Sequence, residues 1–189
     1  GGMGESPEEA ALAVRDAYQD MAGWSAGVEV TAAGGGKGFD FALSAQWQRE
    51  GETVLTVTAP ELLHGITARI AKGETLLEYD GAGVSLGLLD GDGLTAVSAV
   101  TGVMEQIDKG YMAQCAWTGE GEQLLRITCR DPEREPYTGT EYVLTFERDS
   151  WALRSAEVSV DGVTVLTANF SNFTMELKAD DTGDGTNMG

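Results

Sequence analysis

The alternation of apolar and polar residues between positions 39 and 48 constrains the fold of this chain more than any other sequence feature. Phe39, Phe41, Leu43, Ala45 and Trp47 occupy every second position, and most of the residues between them are polar. A period of two places these side chains on one face of an extended strand. The segment therefore predicts a strand of an antiparallel sheet that packs one face on a core and exposes the other face.

Further segments rich in apolar and β-branched residues predict about ten or eleven strands in mostly antiparallel order. These segments are residues 53–58, 66–71, 75–79, 84–86, 111–118, 123–130, 140–147, 152–160 and 163–177. Asp161-Gly162 marks the clearest hairpin turn. A sheet of this size has to curl, and it needs other elements to cover its apolar face.

Two helices are available as that cover. The first begins at the N-cap Ser6, with Pro7 in the first helical position and Glu9 completing a capping box, and we expect Gly23 to end it. The second lies within residues 94–108, where apolar residues recur on one helical face. The predicted fold class is α+β and mainly β: a strongly curved antiparallel sheet, or incomplete β-barrel, covered by an N-terminal helix and an inserted helical segment.

Length and charge fit a single domain that does not bind nucleic acid. We expect this domain to span residues 6–178 of the 189, with a cloning remnant and linker at 1–5 and a disordered acidic tail at 179–189. The net charge of −19, from 31 acidic and 12 basic residues, disfavours phosphate backbones and anionic membrane surfaces. No apolar run is long enough to predict a transmembrane segment.

Cys115 and Cys129 are the two cysteines, and they flank a turn at residues 119–122. A hairpin folded about residue 122 would place them opposite each other. A cross-strand disulfide is then possible and would indicate an oxidising compartment. The alternative is a pair of buried free thiols.

The sequence contains no set of residues typical of catalysis or metal binding. His64 is the single histidine, so neither a histidine-based triad nor a usual zinc site can form. The run 90–93, Asp-Gly-Asp-Gly, resembles the opening of a calcium loop but lacks its later ligands, and a glycine-rich loop explains it equally well. The glycine-rich run 34–38 lacks the spacing of a phosphate-binding loop. We therefore expect no enzymatic activity, no cofactor and no metal ion.

Two motifs resemble the LolA-like and LolB-like outer-membrane lipoprotein carriers. The segment 59–66, with its Pro-Glu-Leu, and the segment 72–79, with its Gly-Glu-Thr-Leu-Leu-Glu-Tyr, are similar to two strand segments of that family. The late hairpin at 144–160 is similar as well, so the resemblance covers about residues 7–177. One position departs from the family pattern, because Ala59 stands where the carriers have an arginine that matters for cargo transfer.

The resemblance implies a half-barrel with an apolar cavity for acyl chains. The candidate ligand-binding residues on the concave face are Phe41, Leu43, Trp47, Leu77, Tyr79, Leu144 and Phe146, although an ordinary packed core explains their pattern too. The implied function is a non-enzymatic binding protein for a lipid or a lipoprotein acyl chain. The alternative is an envelope regulator that binds a protein partner, such as a cell-wall enzyme, with no occupied cavity, as in related lipoproteins of spore-forming Gram-positive bacteria. In either case we expect an extracytoplasmic location, with a lipoprotein anchor on a removed N-terminal segment.

Overall fold

The structure is a computed structural model that describes residues 4–34, 37–71, 74–78 and 96–178. Its helices are α1 (Pro7–Asp20) and α2 (Ala96–Lys109). Its strands are β1 (Met21–Gly34), β2 (Lys37–Gln48), β3 (Thr53–Ala59), β4 (Thr67–Ala71), β5 (Glu74–Glu78), β6 (Met112–Thr118), β7 (Leu124–Cys129), β8 (Thr140–Glu147), β9 (Leu153–Val160) and β10 (Val163–Leu177). Short 3-10 turns occupy Glu61–Leu63 and Glu120–Glu122. The predicted strand at 84–86 and the Asp-Gly run at 90–93 lie outside the described residues.

The ten described strands form one open sheet in the order β5-β4-β3-β2-β1-β10-β9-β8-β7-β6. Every neighbouring pair is antiparallel. The first and last strands of the chain therefore pair at the centre, and β5 and β6 form the two edges. Both helices contact one face of the sheet, α1 against β6 and β7 and α2 against β8. The predicted mainly-β fold, an open antiparallel sheet with two covering helices, is confirmed.

Helix α1 begins where its sequence predicts and ends earlier. Ser6 accepts a hydrogen bond from the backbone N–H of Glu9 at 3.1 Å, as a capping residue should. The helix ends at Asp20, because Met21 is already extended and starts β1. Gly23, expected to end the helix, instead pairs with Gln48 of β2. A Cβ at Gly23 would collide with the carbonyl of Trp47, so this glycine serves strand packing.

The period-two pattern of β2 gives the faces that the sequence predicts. Leu43 and Ala45 are buried on the inner face, while Ser44 and Gln46 are exposed. Helix α2 falls within the predicted helical segment. No helix among the described residues is long and apolar enough to cross a membrane.

Candidate binding site

Five of the seven predicted ligand-binding residues converge on the protein core. Leu43, Leu144 and Phe146 are fully packed, with 3%, 1% and 0% of their surface exposed. Phe41 and Trp47 are partly buried and pack against the same cluster. The inner face of the sheet therefore brings these residues together as the sequence pattern implies. What surrounds them is largely protein.

The other two predicted residues are Leu77 and Tyr79. The backbone of Leu77 lies in β5 opposite Ala68, and its side chain is not among those described. Tyr79 lies outside the described residues. Whether these two positions contribute to a ligand site stays a prediction.

An aromatic cluster fills the space between α1, α2 and the centre of the sheet. The rings of Tyr18 and Phe146 meet edge to face at 5.6 Å, and Trp24 stacks on Phe173 at 5.0 Å. The indole N–H of Trp24 also points at the sulfur of Met104, 3.1 Å away. Aromatic contacts of this kind stabilise a core beyond the area they bury. This part of the concave face is thus occupied by the side chains of the chain itself.

The hydroxyl of Tyr18 links α1 to the connection between β8 and β9. It donates to the carbonyl of Trp151 at 2.6 Å. Burial raises the pKa of Tyr18 far above its ordinary value, and a hydrogen bond with the backbone of Leu153 offsets only part of that rise. The phenol therefore stays protonated at neutral pH and acts as a structural donor.

Arg15 fixes the C-terminal end of α2 to α1. Its guanidinium donates to the carbonyls of Ile107 at 2.9 Å, Gln106 at 3.1 Å and Gly110 at 2.5 Å. The last carbonyls of a helix have no partner within the helix, and they carry its negative dipole end. One cation thus satisfies several acceptors and locks the two helices together.

Arg49 binds the carbonyl groups at the C-terminal end of α1. Its guanidinium donates to the carbonyl of Tyr18 and to the carbonyl of Met21, the latter at 3.0 Å. It also lies over the ring of Trp47, 5.1 Å from the centroid. The guanidinium of Arg49 therefore already has partners within the fold.

A small cleft opens beside these groups, and we call it the Trp47 cleft. It is lined by Tyr18, Trp47, Arg49 and five residues of α2, namely Thr101, Met104, Glu105, Asp108 and Lys109. Its volume is about 240 Å³, whereas small-molecule sites commonly span about 300 to 1,000 Å³. Of the predicted ligand-binding residues, only Trp47 borders it. Three of the α2 residues that line the cleft are charged, and burying a charge against an acyl chain without a partner costs free energy.

Strand β6 forms an open edge of the sheet, and we call it the β6 edge. It pairs with β7 on one side, and no second strand pairs with it in the described part of the chain. Its seven residues, Met-Ala-Gln-Cys-Ala-Trp-Thr, contain no charge, proline or glycine. Natural proteins usually protect exposed edges with charges, prolines or pronounced bulges. Here the only irregularity is a register shift between Met112 and Gln114, so most of the edge is open to pairing.

The inner side of the β6 edge is held rigid by Trp117. Its ring stacks on Trp151 with centroids 6.5 Å apart, and the guanidinium of Arg148 lies over it at 4.0 Å. The indole N–H donates to the carbonyl of Glu5 at 3.1 Å. These contacts order the strand without covering its backbone edge.

A polar depression, which we call the outer groove, crosses the outer face of β6–β10. Its volume is about 380 Å³, and Gln114, Arg126, Arg130 and Glu141 are among its lining residues. Arg126 is exposed. Glu141 is only 8% exposed and accepts a hydrogen bond from the backbone N–H of Tyr137 at 2.6 Å. The sequence does not reveal this groove, because strand periodicity separates an inner from an outer face but does not show which outer residues are unpartnered.

The disulfide that the sequence left possible between Cys115 and Cys129 is not formed. Both cysteines are free. Cys115 lies opposite Ile127, and Cys129 lies opposite Met112. The reason is that the hairpin is centred on Gly121, one residue earlier than a pairing of the two cysteines requires, which moves the partner of Cys115 by two residues. The register shift between Met112 and Gln114 moves the partner of Cys129 by one residue more.

The two thiols are also poor nucleophiles. Burial raises the pKa of Cys129 to about 12, a rise that Arg15 opposes only weakly. Burial, followed by the charge of Glu8, raises the pKa of Cys115 as well. Because the reactive form is the thiolate, neither thiol is activated at neutral pH.

No metal centre is found among the described residues, which hold no group of three or more His, Cys, Asp or Glu side chains suited to a cation. His64 is exposed and follows the first 3-10 turn, where its N–H donates to the carbonyl of Glu61 at 3.1 Å. This histidine thus lies on the surface, away from both the Trp47 cleft and the β6 edge.

Comparison with known proteins returns likenesses of structure only. No family model matches the chain, and no curated protein matches its sequence. A LolA superfamily protein from Nitrosomonas europaea is 10% identical, covers 95% of this chain and 97% of its own, and gives a TM-score of 0.41. The complex of the CwlD amidase with the GerS lipoprotein from Clostridioides difficile contains a chain that is 17% identical, with coverages of 92% and 98% and a TM-score of 0.47. A chain of the Pseudomonas aeruginosa MucA/MucB complex is 8% identical, with coverages of 92% of this chain and 59% of its own and a TM-score of 0.47.

The order of secondary-structure elements agrees with the LolA-like resemblance of the sequence. The leading helix, the open antiparallel sheet and the inserted helix follow one another in the order that the sequence resemblance implied. At these identities and TM-scores the likenesses concern the fold and carry no activity.

Proposed function

We propose that this chain is a non-enzymatic binding protein that docks a protein partner by strand addition at the β6 edge. The observation that carries the proposal is the edge itself, seven uncharged residues paired on one side only in the described structure. An extended segment of a partner can extend the sheet there, with main-chain hydrogen bonds giving affinity and alternate side chains giving specificity. Because Trp117 holds the strand in place, little ordering of the edge would accompany binding.

The state of the interior supports partner binding over acyl-chain transport. Leu43, Leu144 and Phe146, which would line a cavity in a carrier, are covered by other side chains of the core. The cleft beside Trp47 is small and bordered by charged residues of α2. Within the described part of the chain, an acyl chain could enter this core only by displacing packed side chains, and removing one large aromatic side chain from a core costs about 3 to 5 kcal/mol.

We place this activity outside the cytoplasm, in the cell envelope. The support is the LolA-like resemblance, which includes the segments at 59–66 and 72–79 and the late hairpin at 144–160. The lipoprotein anchor expected from the same resemblance is part of this proposal.

Photo-crosslinking in cells that express the chain tests the proposal directly. A photoreactive benzoylphenylalanine would replace Ala116 on the β6 edge and, as a matched control, Ser155 on the outer face of β9. A third variant would carry it at Trp47, beside the cleft. We expect a protein-sized adduct from position 116 and none from position 155.

Native mass spectrometry of the gently purified chain tests the competing function. We expect the mass of the polypeptide alone, before and after incubation with phospholipid vesicles. A lipid-sized mass that is lost on denaturation, together with a lipid adduct at position 47, would contradict the proposal and support acyl-chain transport.

A further inference from the structure

We propose, building on partner docking at the β6 edge, that the segment added there is an acidic extended peptide whose carboxylate pairs with Arg126. The proposal names the chemistry of the partner and not its identity. It rests on where the cations of this strongly acidic chain are placed and on which of them already have partners.

Three arginines lie beside β6, although the strand itself has no charge. Arg126 of β7 lies opposite Ala116 of β6. Arg148 covers the ring of Trp117 on the inner side, and Arg130 lies 5.9 Å from the ring centroid of Tyr111, just before the strand. Three of the 12 basic residues of the chain therefore lie beside this edge, and Glu8 and the turn residues Glu120 and Glu122 lie near it as well. Complementary charge steers association and suppresses wrong partners.

Arg126 is the cation of this region that has no partner in the described structure. It is exposed, and it makes no hydrogen bond, ion pair or ring contact with the described residues. The arginines named above are engaged: Arg15 and Arg49 hold helix ends, Arg148 donates to the carbonyl of Glu122 at 3.0 Å, and Arg130 donates to the carbonyl of Arg134 at 3.1 Å. Arg154 of β9, farther from the edge, pairs with Glu147 at 2.8 Å. A guanidinium presents a planar fork that matches a carboxylate, so an unpaired one is a natural receptor for that group.

The small side chain of Ala116 gives Arg126 access to the edge. Neighbouring strands lie about 4.8 Å apart, so an added strand would be about 10 Å from β7. Ala116 is directly between them and has only a methyl group, which the long side chain of Arg126 can pass. Only alternate side chains of the added strand face this side, so the carboxylate that pairs with Arg126 belongs to one of these alternate positions.

Carboxylates further across the outer face limit where an acidic segment can bind. Glu141 of β8 is buried and bonded to the Tyr137 N–H, and Glu157 of β9 accepts from the hydroxyl of Thr164 at 3.2 Å. Both would repel an acidic peptide that moved toward the centre of the sheet. The acidic segment is therefore confined to the edge, beside Arg126.

A second copy of the chain fits this site poorly. Its own β6 has no carboxylate to offer Arg126, and two copies, each with net charge −19, repel each other. Self-association through paired β6 strands, detected by sedimentation, would overturn the proposal.

Fluorescence titration with synthetic peptides tests the inference on the full chain. The probes are blocked seven-residue peptides, the length of β6, in which valine alternates with glutamate, glutamine or lysine. A fourth probe is the glutamate peptide N-methylated at alternate residues, which removes the donors on one edge. The protein variants are Arg126→Glu and, as a control with the same charge change away from the edge, Arg154→Glu.

We expect the wild-type chain to bind the glutamate peptide about fivefold more tightly than the lysine peptide, as one well-placed ion pair gives. Arg126→Glu should invert this preference, Arg154→Glu should keep it, and N-methylation should abolish binding. If the three unmethylated peptides bind equally and N-methylation still abolishes binding, the edge function stands and the assignment to Arg126 is wrong. If no peptide binds, or methylation has no effect, both the assignment and strand addition at the edge are wrong.

Discussion

The inner and outer faces of strands β6–β8 are built from alternating residues of the same segments, yet they differ in almost every physical respect. On the inner face Leu125, Ile127 and Phe146 are buried to within 1% of their surface. On the outer face Arg126 is exposed and Thr128 is half-buried. Side chains packed on all sides leave no room for a ligand, whereas unpartnered exposed groups can bind one at little cost to the fold. The comparison therefore separates a face that provides stability from a face that is available for binding.

The largest effect should come from truncating the inner face. Phe146→Ala removes a fully buried ring that contacts Tyr18 at 5.6 Å, and we expect a loss of about 3 to 5 kcal/mol in the free energy of unfolding. Thr145→Ala, the neighbouring residue on the outer face, is the control and should cost less than about 1 kcal/mol. Urea denaturation followed by far-UV circular dichroism measures both. Similar small losses for the two variants would mean that the inner face is loosely packed and would restore the cavity hypothesis.

The fold could be predicted from the sequence wherever one residue pattern permits one local structure. The Ser6–Glu9 capping box gave the start of α1, and the alternation from Phe41 to Trp47 gave the faces of β2. The sequence did not place β1, since residues 21–34 hold several glycines and alanines that produce little contrast between faces. Their role depends on pairing with β2 and β10 on both sides, and such long-range pairing leaves no local signal.

The candidate site was less predictable than the fold, for two reasons. The centre of the β6–β7 hairpin follows from positive φ angles at Gly119, Gly121 and Glu122, which the repeated Gly-Glu sequence does not fix. Hence the sequence left the partners of the two cysteines open. The second reason is that the sequence cannot distinguish a cavity from a filled core. The pattern that places Leu144 and Phe146 on the inner face is the same for a hollow barrel and for a packed one.

The next largest effect should come from the arginine that joins the two helices covering the inner face. Arg15→Met keeps much of the length of the side chain but removes its three hydrogen bonds to carbonyls at the end of α2. Hydrogen bonds to charged groups contribute about 1.5 to 3 kcal/mol, so we expect a loss of about 2 kcal/mol. Amide hydrogen exchange should also accelerate in the last turn of α2.

The matched control for Arg15 is Arg154→Met on the outer face. Arg154 pairs with Glu147 at 2.8 Å, but both side chains are more than 40% exposed. Exposed ion pairs contribute about 0 to 1 kcal/mol. Equal losses for the two variants would show that Arg15 does not anchor α2.

A smaller effect, visible only at high pH, should come from the buried thiol of Cys129. Its folded-state pKa is raised to about 12, so the unfolded chain releases this proton at lower pH than the folded chain. The stabilisation is therefore complete below the unfolded pKa of the thiol and is lost as pH rises toward 12. Relative to Cys129→Ala, the wild-type chain should lose about 1.4 kcal/mol between pH 7 and pH 10, because pH 10 lies one unit above the ordinary thiol pKa of 9.0. A stability difference that does not change with pH would show that Cys129 is not shielded from solvent.

The smallest effect on stability should come from Arg126, the residue we assign to partner binding. Arg126→Gln removes an exposed charge that has no partner among the described residues, so its free energy of unfolding should match the wild-type value within about 0.5 kcal/mol. The same variant should bind the alternating glutamate peptide about fivefold more weakly. A loss of stability without a loss of binding would assign Arg126 to the fold and remove the distinction between the two faces. Neutral stability combined with weaker binding would confirm that the outer face beside the β6 edge recognises the partner while the inner face maintains the fold.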